Sequence, residues 1–196
     1  MSIERTVIVV VAGGTASGKS TIVSRLVERT GAVHISHDRY YFDAPNPRGH
    51  DFDHPTALDT DRMVDDVTLL KSGRSAELPV YQFASHSRSL EVELVEPAPL
   101  IVVEGILVLA DPRVVALADV TVFVDAPEAV RFERRLARDI SERGRTEDSV
   151  RAQYRETVKP NHDAFVEPSK RQASVVLDGT DDVERSVDRL VSLLPG

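Results

Sequence analysis

The chain has 196 residues, 41% of them apolar, enough for one sizeable core, and is expected to form a single domain over 1–196. Its net charge of -8 speaks against a sequence-independent grip on DNA or RNA, which needs a dense array of Lys and Arg facing phosphates. The absence of cysteine removes disulfides and thiolate metal sites, and the apolar run Val7 to Ala12 falls far short of the roughly 20 residues of a membrane helix. The expectation is a soluble cytoplasmic protein with neither a nucleic acid nor a membrane as partner.

Val7 to Val11 is a continuous β-branched run followed by glycines, the pattern of a strand buried in a parallel sheet. Lys19 to Arg29 has helical spacing, with Ile22, Val23, Leu26 and Val27 on one face. A short strand is predicted at Val33 to Ser36, and a helix at Asp59 to Lys71, stopped by Gly73. Leu78 to Phe83 and Leu90 to Val95 read as two strands of an outlying hairpin, and Leu100 to Val103 and Val120 to Val124 as further buried strands. Pro127 opens a helix running to about Arg143. Another starts near Glu147 and is interrupted at Pro160, and a strand at Ser174 to Leu177 precedes a last helix from Asp181. The alternation predicts an α/β chain of three layers with a mainly parallel sheet, a small outlying β-hairpin and a helical lid.

Gly13-Gly14-Thr15-Ala16-Ser17-Gly18-Lys19-Ser20 has the spacing G-x-x-x-x-G-K-[ST] and sits between a strand and a helix that continues through Thr21. Such a loop turns successive N–H groups inward onto phosphate oxygens at the positive end of a helix. Lys19 then reaches the β- and γ-phosphates, and Ser20 places its hydroxyl on Mg²⁺. Glu104 closes the run Leu100-Ile-Val-Val-Glu104-Gly105 at the edge of the sheet where ligands bind, and is the second metal-side group. A kinase also needs a carboxylate that orients the acceptor hydroxyl and receives its proton. Asp38, just past the second strand, is placed for that, although a turn or cap residue would occupy the same position.

Several further segments stand in one order: Phe52-Asp53-His54-Pro55, Leu78 to Arg88, Val103-Glu-Gly-Ile106, Arg138 to Arg145, and Phe165 to Lys170. Together with the phosphate loop they resemble the uridine-cytidine kinases of the uridine kinase and phosphoribulokinase group over nearly the whole chain. The resemblance implies a P-loop kinase moving the γ-phosphate of ATP or GTP, with Mg²⁺, onto the 5′-hydroxyl of uridine or cytidine. It makes Asp38 the catalytic acid, close to Mg²⁺. Asp53 then binds the ribose hydroxyls with Arg135 beside it, and Tyr81, Phe83 and His86 read the pyrimidine with Arg145 and Gln153 completing the pocket. It also implies a homo-oligomer, often a tetramer. Chemistry supports the dual acceptor: an imidazole donates to a keto oxygen or accepts from an amino group according to tautomer, so His86 suits either base.

Six arginines fall within the fifteen residues from Arg131 to Arg145. The periodicity places Arg131, Arg134, Arg135 and Arg138 on the solvent side of a helix whose apolar stripe is Phe132, Leu136 and Ile140. Arg138 and Arg143, which match the family's lid, are expected to close over the γ-phosphate, while Arg131 and Arg134 read better as solvated residues paired to Glu133, Asp139 and Glu142. Two segments depart from the family pattern. The stretch between Asp38 and Asp53, with Ala44 to Gly49, is short, and Leu177 to Asp182 replaces the usual Pro-Arg-Gly type loop beside the donor base. The competing readings are a kinase of the same group acting on pantothenate or a sugar phosphate, and a nucleotide-binding regulator without turnover. The Asn-Lys-x-Asp and Asp-x-x-Gly motifs of a GTPase are both missing from the sequence.

Overall fold

The computed structural model describes residues 5–44, 46 and 50–194, so residues 45 and 47–49 of the short segment noted between Asp38 and Asp53 lie outside the described residues. Five strands form a parallel sheet: β1 (Val7–Ala12), β2 (Val33–Ser36), β5 (Leu100–Glu104), β6 (Val120–Asp125) and β7 (Val175–Asp178), in the order β2-β5-β1-β6-β7. Every residue of β1 is buried, as expected of a strand covered on both faces. Successive side chains alternate. Ile8, Val10 and Ala12 enter one core, together with Met63, Val67 and Leu70 of α2 (Thr60–Lys71) and Val114 of α3 (Pro112–Leu117). Val9 and Val11 enter the other, against Ile22, Val23 and Leu26 of α1 (Lys19–Thr30) and Val187 and Leu190 of α8 (Val183–Ser192). Helix α3 has no counterpart in the sequence reading.

The hairpin forms as a separate two-stranded sheet of β3 (Ala76–Gln82) and β4 (Ser87–Val95), with a register shift between Pro79 and Tyr81. Two strands alone are marginal in water, and Arg88 ties this pair to the body. Its guanidinium donates to the Tyr40 and Tyr41 carbonyls at 2.8 and 2.9 Å and to Asp59 Oδ2 at 3.0 Å. Phe83, expected in the strand, lies in the turn and is 61% exposed.

Helix α4 (Glu128–Ser141) begins directly after Pro127 and is followed by α5 (Glu147–Gln153). Beyond α5 the expected interruption at Pro160 does not occur. The helix passes through a π turn at Tyr154–Val158, one α turn α6 (Lys159–Asn161), a second π turn at His162–Val166 and another α turn α7 (Glu167–Ser169). Pro160 and Pro168 each follow a π turn. A proline inside an α-helix loses its own hydrogen bond and pushes on the carbonyl four residues back; the wider turn ahead of each proline relieves that clash, so the stretch bends without ending.

Candidate active site

Three chain segments bring chemistry to one edge of the sheet. The phosphate loop follows β1, Asp38 follows β2, and Glu104 ends β5. Strand β5 lies between the other two, with Glu104 in register with both Val11 and Ser36. This is the C-terminal edge of the parallel strands, the general ligand side of such sheets.

The loop leads into the N-terminus of α1, which has no side-chain cap. Gly18 caps the helix at φ 101°, a left-handed conformation that a side chain would strain, and it makes no side-chain cap; the first turn carries no acid. The free N–H groups and the helix dipole therefore face an anion. Gly179, after β7, backs the loop: a Cβ there would stand 1.9 Å from the Ser17 carbonyl oxygen. Within the cradle, Ser20 Oγ donates to Glu104 Oε1 at 3.2 Å, and Lys19 Nζ lies 3.3 Å from Ser20 Oγ and 3.7 Å from Glu104 Oε2. Glu104 is buried, and its Oε2 has no hydrogen-bond partner among the described residues. A buried carboxylate oxygen left unpaired beside a hydroxyl suits a hard, oxygen-seeking cation such as Mg²⁺.

On the acceptor side, Asp38 sits in a 3-10 turn (His37–Tyr40) whose entry is capped by Ser36, with the Asp38 N–H donating to Ser36 Oγ at 3.3 Å. Asp53 is buried, and desolvation drives its pKa up from 3.8 to about 6, partly opposed by Arg135 and reinforced by Asp51, Asp38 and Asp139. An aromatic wall stands beside it. Phe52 meets His86 at 5.1 Å and Tyr41 at 5.5 Å between centroids, and Tyr81 meets Tyr41 at 5.5 Å and Phe83 at 5.2 Å. His86 is held at φ 51° in the hairpin turn. Tyr41 and Phe52 are wall residues that the sequence reading did not assign; their adjacency to Asp38 and Asp53 in the motifs was the available signal. Because the folded pKa of Asp53 exceeds the unfolded one, its contribution to stability is greatest below pH 4 and is lost as pH rises through 6. Asp53→Asn should therefore raise stability at pH 7.5 by about 1–3 kcal/mol, and by less at pH 5, in denaturant titrations at the two pH values. An equal gain at both would show that burial of the charge is not the cause.

Helix α4 corrects the expectation for the arginines. Arg131, Arg135 and Asp139 form its buried face, at 6%, 6% and 0% exposure, whereas Ile140 of the supposed apolar stripe is 41% exposed. Arg135 donates to Thr15 Oγ1 at 2.9 Å and to Gln153 Oε1 at 3.0 Å. Burial alone pushes the Arg135 pKa downward, and Asp53 and Asp139 act against that. Asp139 is the common counter-ion: Arg135, Arg138, Arg143 and Arg145 approach it at 3.6, 2.9, 3.3 and 3.6 Å. Arg145 also donates to Gln153 Oε1. Arg134 remains outside, donating to the Gly179 carbonyl at 2.8 Å. The stripe residue Phe132 packs instead on Tyr154, with centroids 4.7 Å apart, and beneath Arg151. A charged face turned inward is tolerated because Arg135 meets the Thr15 hydroxyl, the Gln153 amide and the Asp139 carboxylate, and Arg131 meets the Ala126 carbonyl and the His162 ring.

Residues 8–186 match the Phosphoribulokinase / Uridine kinase family. This chain belongs to that family. The uridine kinase of Chloroflexus aurantiacus is 42% identical over 194 residues, 95% of this chain and 93% of that protein. The uridine kinase of Lactococcus lactis subsp. cremoris is 42% identical over 182 residues, covering 89% and 88%. Among solved structures, phosphoribulokinase from Rhodobacter spheroides superimposes with a TM-score of 0.65 at 15% identity, over 92% of this chain and 74% of that one. D-glycerate 3-kinase from Cryptococcus neoformans gives 0.66 at 16% identity, over 85% and 80%. At such identities the structural likeness establishes the fold alone. These neighbours share the α/β fold built on the sheet described above.

Proposed function

We propose that this protein is a uridine kinase, transferring the γ-phosphate of ATP or GTP to the 5′-hydroxyl of uridine or cytidine. The observation that carries the reading is one sheet edge holding both halves of a phosphoryl transfer site. Lys19, Ser20 and Glu104 meet in the phosphate cradle, and Asp38 stands one strand away beside Asp53 and the aromatic wall of Tyr41, Phe52, Tyr81 and His86. The uridine kinases at 42% identity over most of the chain support the same acceptor.

In this reading the loop N–H groups and Lys19 hold the donor's phosphates, and Ser20, Glu104 and Asp38 would hold Mg²⁺, which would supply positive charge to offset that of the phosphates. Asp38 accepts the hydrogen bond of the nucleoside 5′-hydroxyl, aims its oxygen at the γ-phosphorus and takes its proton as the new P–O bond forms. Asp53 and Arg135 fix the ribose. Tyr81, Phe83 and His86 enclose the pyrimidine, and Arg145 and Gln153 close that pocket. Arg138 and Arg143 leave Asp139 for the γ-phosphate and exclude water. The protein works in the cytoplasm, as one domain and without a nucleic-acid partner. No helix of the described residues is long and apolar enough to cross a membrane.

The test is ADP formation from Mg·ATP with uridine, cytidine, adenosine, pantothenate and ribulose 5-phosphate offered separately. Turnover with the pyrimidine nucleosides alone is expected. Turnover with pantothenate or the sugar phosphate in their place would move the protein elsewhere in its family.

A further inference from the structure

In the proposed reading the nucleoside is gripped at two ends, by Asp38 at its 5′-hydroxyl and by the hairpin at its base. These two ends belong to separate pieces of the fold. Among the described residues β3 and β4 pair only with each other, and not with the sheet whose edge carries Asp38. Ala76 and Leu78 bury the far end of the hairpin in the core. The ladder then shifts register between Pro79 and Tyr81, and every residue from Gln82 to Ser85 is exposed. The Ala44 N–H donates to the His86 carbonyl at 2.8 Å and the Arg88 N–H to Asp43 Oδ1 at 2.7 Å, which ties the hairpin to the chain beyond Asp38 but not to the turn that holds it.

Two arginines span the remaining space in opposite directions. Arg39, the residue after Asp38, reaches out of the 3-10 turn. Its Nε donates to the Pro79 carbonyl at 3.0 Å, at the register shift, and its Nη2 donates to Glu93 of β4. Arg88, opposite Tyr81 in the hairpin, reaches back. Its bonds to the Tyr40 and Tyr41 carbonyls hold the C-terminal end of the turn, and its bond to Asp59 Oδ2 ends on the residue whose Oδ1 caps α2. The two side chains are only 22% and 20% exposed. A planar guanidinium fixes several acceptors at once, so each arginine constrains both distance and angle.

We infer that Arg39 and Arg88 form a reciprocal brace that sets the spacing between the hairpin and Asp38, and so act as positioning residues for the acceptor. Neither touches the reacting atoms. If the hairpin shifts by about 1 Å against Asp38, the 5′-hydroxyl moves out of line with the γ-phosphorus, and a misplacement of that size costs up to about a hundredfold in rate. Affinity is spread over base and ribose and suffers less. The inference rests on the reading in which Asp38 meets the 5′-hydroxyl and the hairpin meets the base.

The test is UMP formation by the full chain at saturating Mg·ATP and uridine, with the dissociation constant of uridine measured separately by calorimetry. Arg39→Met keeps the apolar stem and removes both bonds. Its kcat should fall about tenfold or more while uridine affinity stays within about threefold of the wild type. Arg88→Lys, which keeps a charge beside Asp59 but loses the planar fork, should show the same split, and it decides the matter if Arg39→Met fails to fold. An unchanged kcat, or a loss of uridine affinity as large as any loss of kcat, would overturn the inference and leave the arginines as ties that merely anchor the hairpin. A wild-type protein that makes no UMP would instead sink the reading beneath it, so the two failures are distinct.

Discussion

Asp38→Asn is expected to lower kcat with uridine by about 10²- to 10⁴-fold while ATP still binds. The substitution keeps the shape of the side chain and the backbone bond from the Asp38 N–H to Ser36 Oγ, so the 3-10 turn that presents it should persist. On the proposed function, what disappears is the negative charge that would orient the 5′-hydroxyl and the site that would take its proton. Steady-state kinetics, together with a separate titration of ATP binding, divides the two effects. If kcat stays within about threefold of the wild type, Asp38 is a turn residue and the catalytic acid lies elsewhere. Repeating the kinetics across Mg²⁺ concentrations locates the second role: a rise in the Mg²⁺ requirement would place Asp38 on the metal as well as on the hydroxyl.

Asp139→Ala should destabilise the fold by about 3 kcal/mol, the lower end of the cost of removing one partner from a buried ion pair. The lower end applies because three of the four guanidiniums around it retain access to solvent, with side-chain exposures of 30% for Arg138, 54% for Arg143 and 29% for Arg145. Arg135, at 7%, cannot relax in this way and carries most of the loss. The same change leaves the arginines without their common counter-ion, and a triphosphate should supply one. The increase in melting temperature on adding ATP is accordingly expected to be larger in the variant than in the wild type. A denaturant midpoint unchanged by the substitution, or an ATP-induced shift smaller than that of the wild type, would show that Asp139 does not hold the lid's charges.

The phosphate loop was legible from sequence because its chemistry is local. A β-branched strand, a glycine-rich turn and a helix start lie within the continuous stretch from Val7 to Thr30, so one window of sequence contains the whole motif. The buried strands were legible for the same reason, and strand ends located Glu104 and Asp38 at a common edge before the strand order was known. The lip of the hairpin was read less well. Strand propensity carried Phe83 into β3, whereas the turn that holds His86 at a positive φ takes Phe83 with it into solvent.

What the sequence by itself determined, then, is the set of local elements and the residue types available to chemistry. The tertiary structure decided which face of α4 looks inward. Periodicity separates a charged face from an apolar one, and the general cost of burying charge assigns the charged face to water. Here that cost is offset by partners from distant elements, Thr15 of the loop, Gln153 of α5 and His162 of the π turn, and by the nearby Ala126 carbonyl. The aromatic wall likewise joins Tyr41, Phe52 and Tyr81 from three separate segments. The pairings of Arg135 with Thr15, Arg131 with His162 and Tyr41 with Tyr81 are long-range, and no short window of sequence contains both partners.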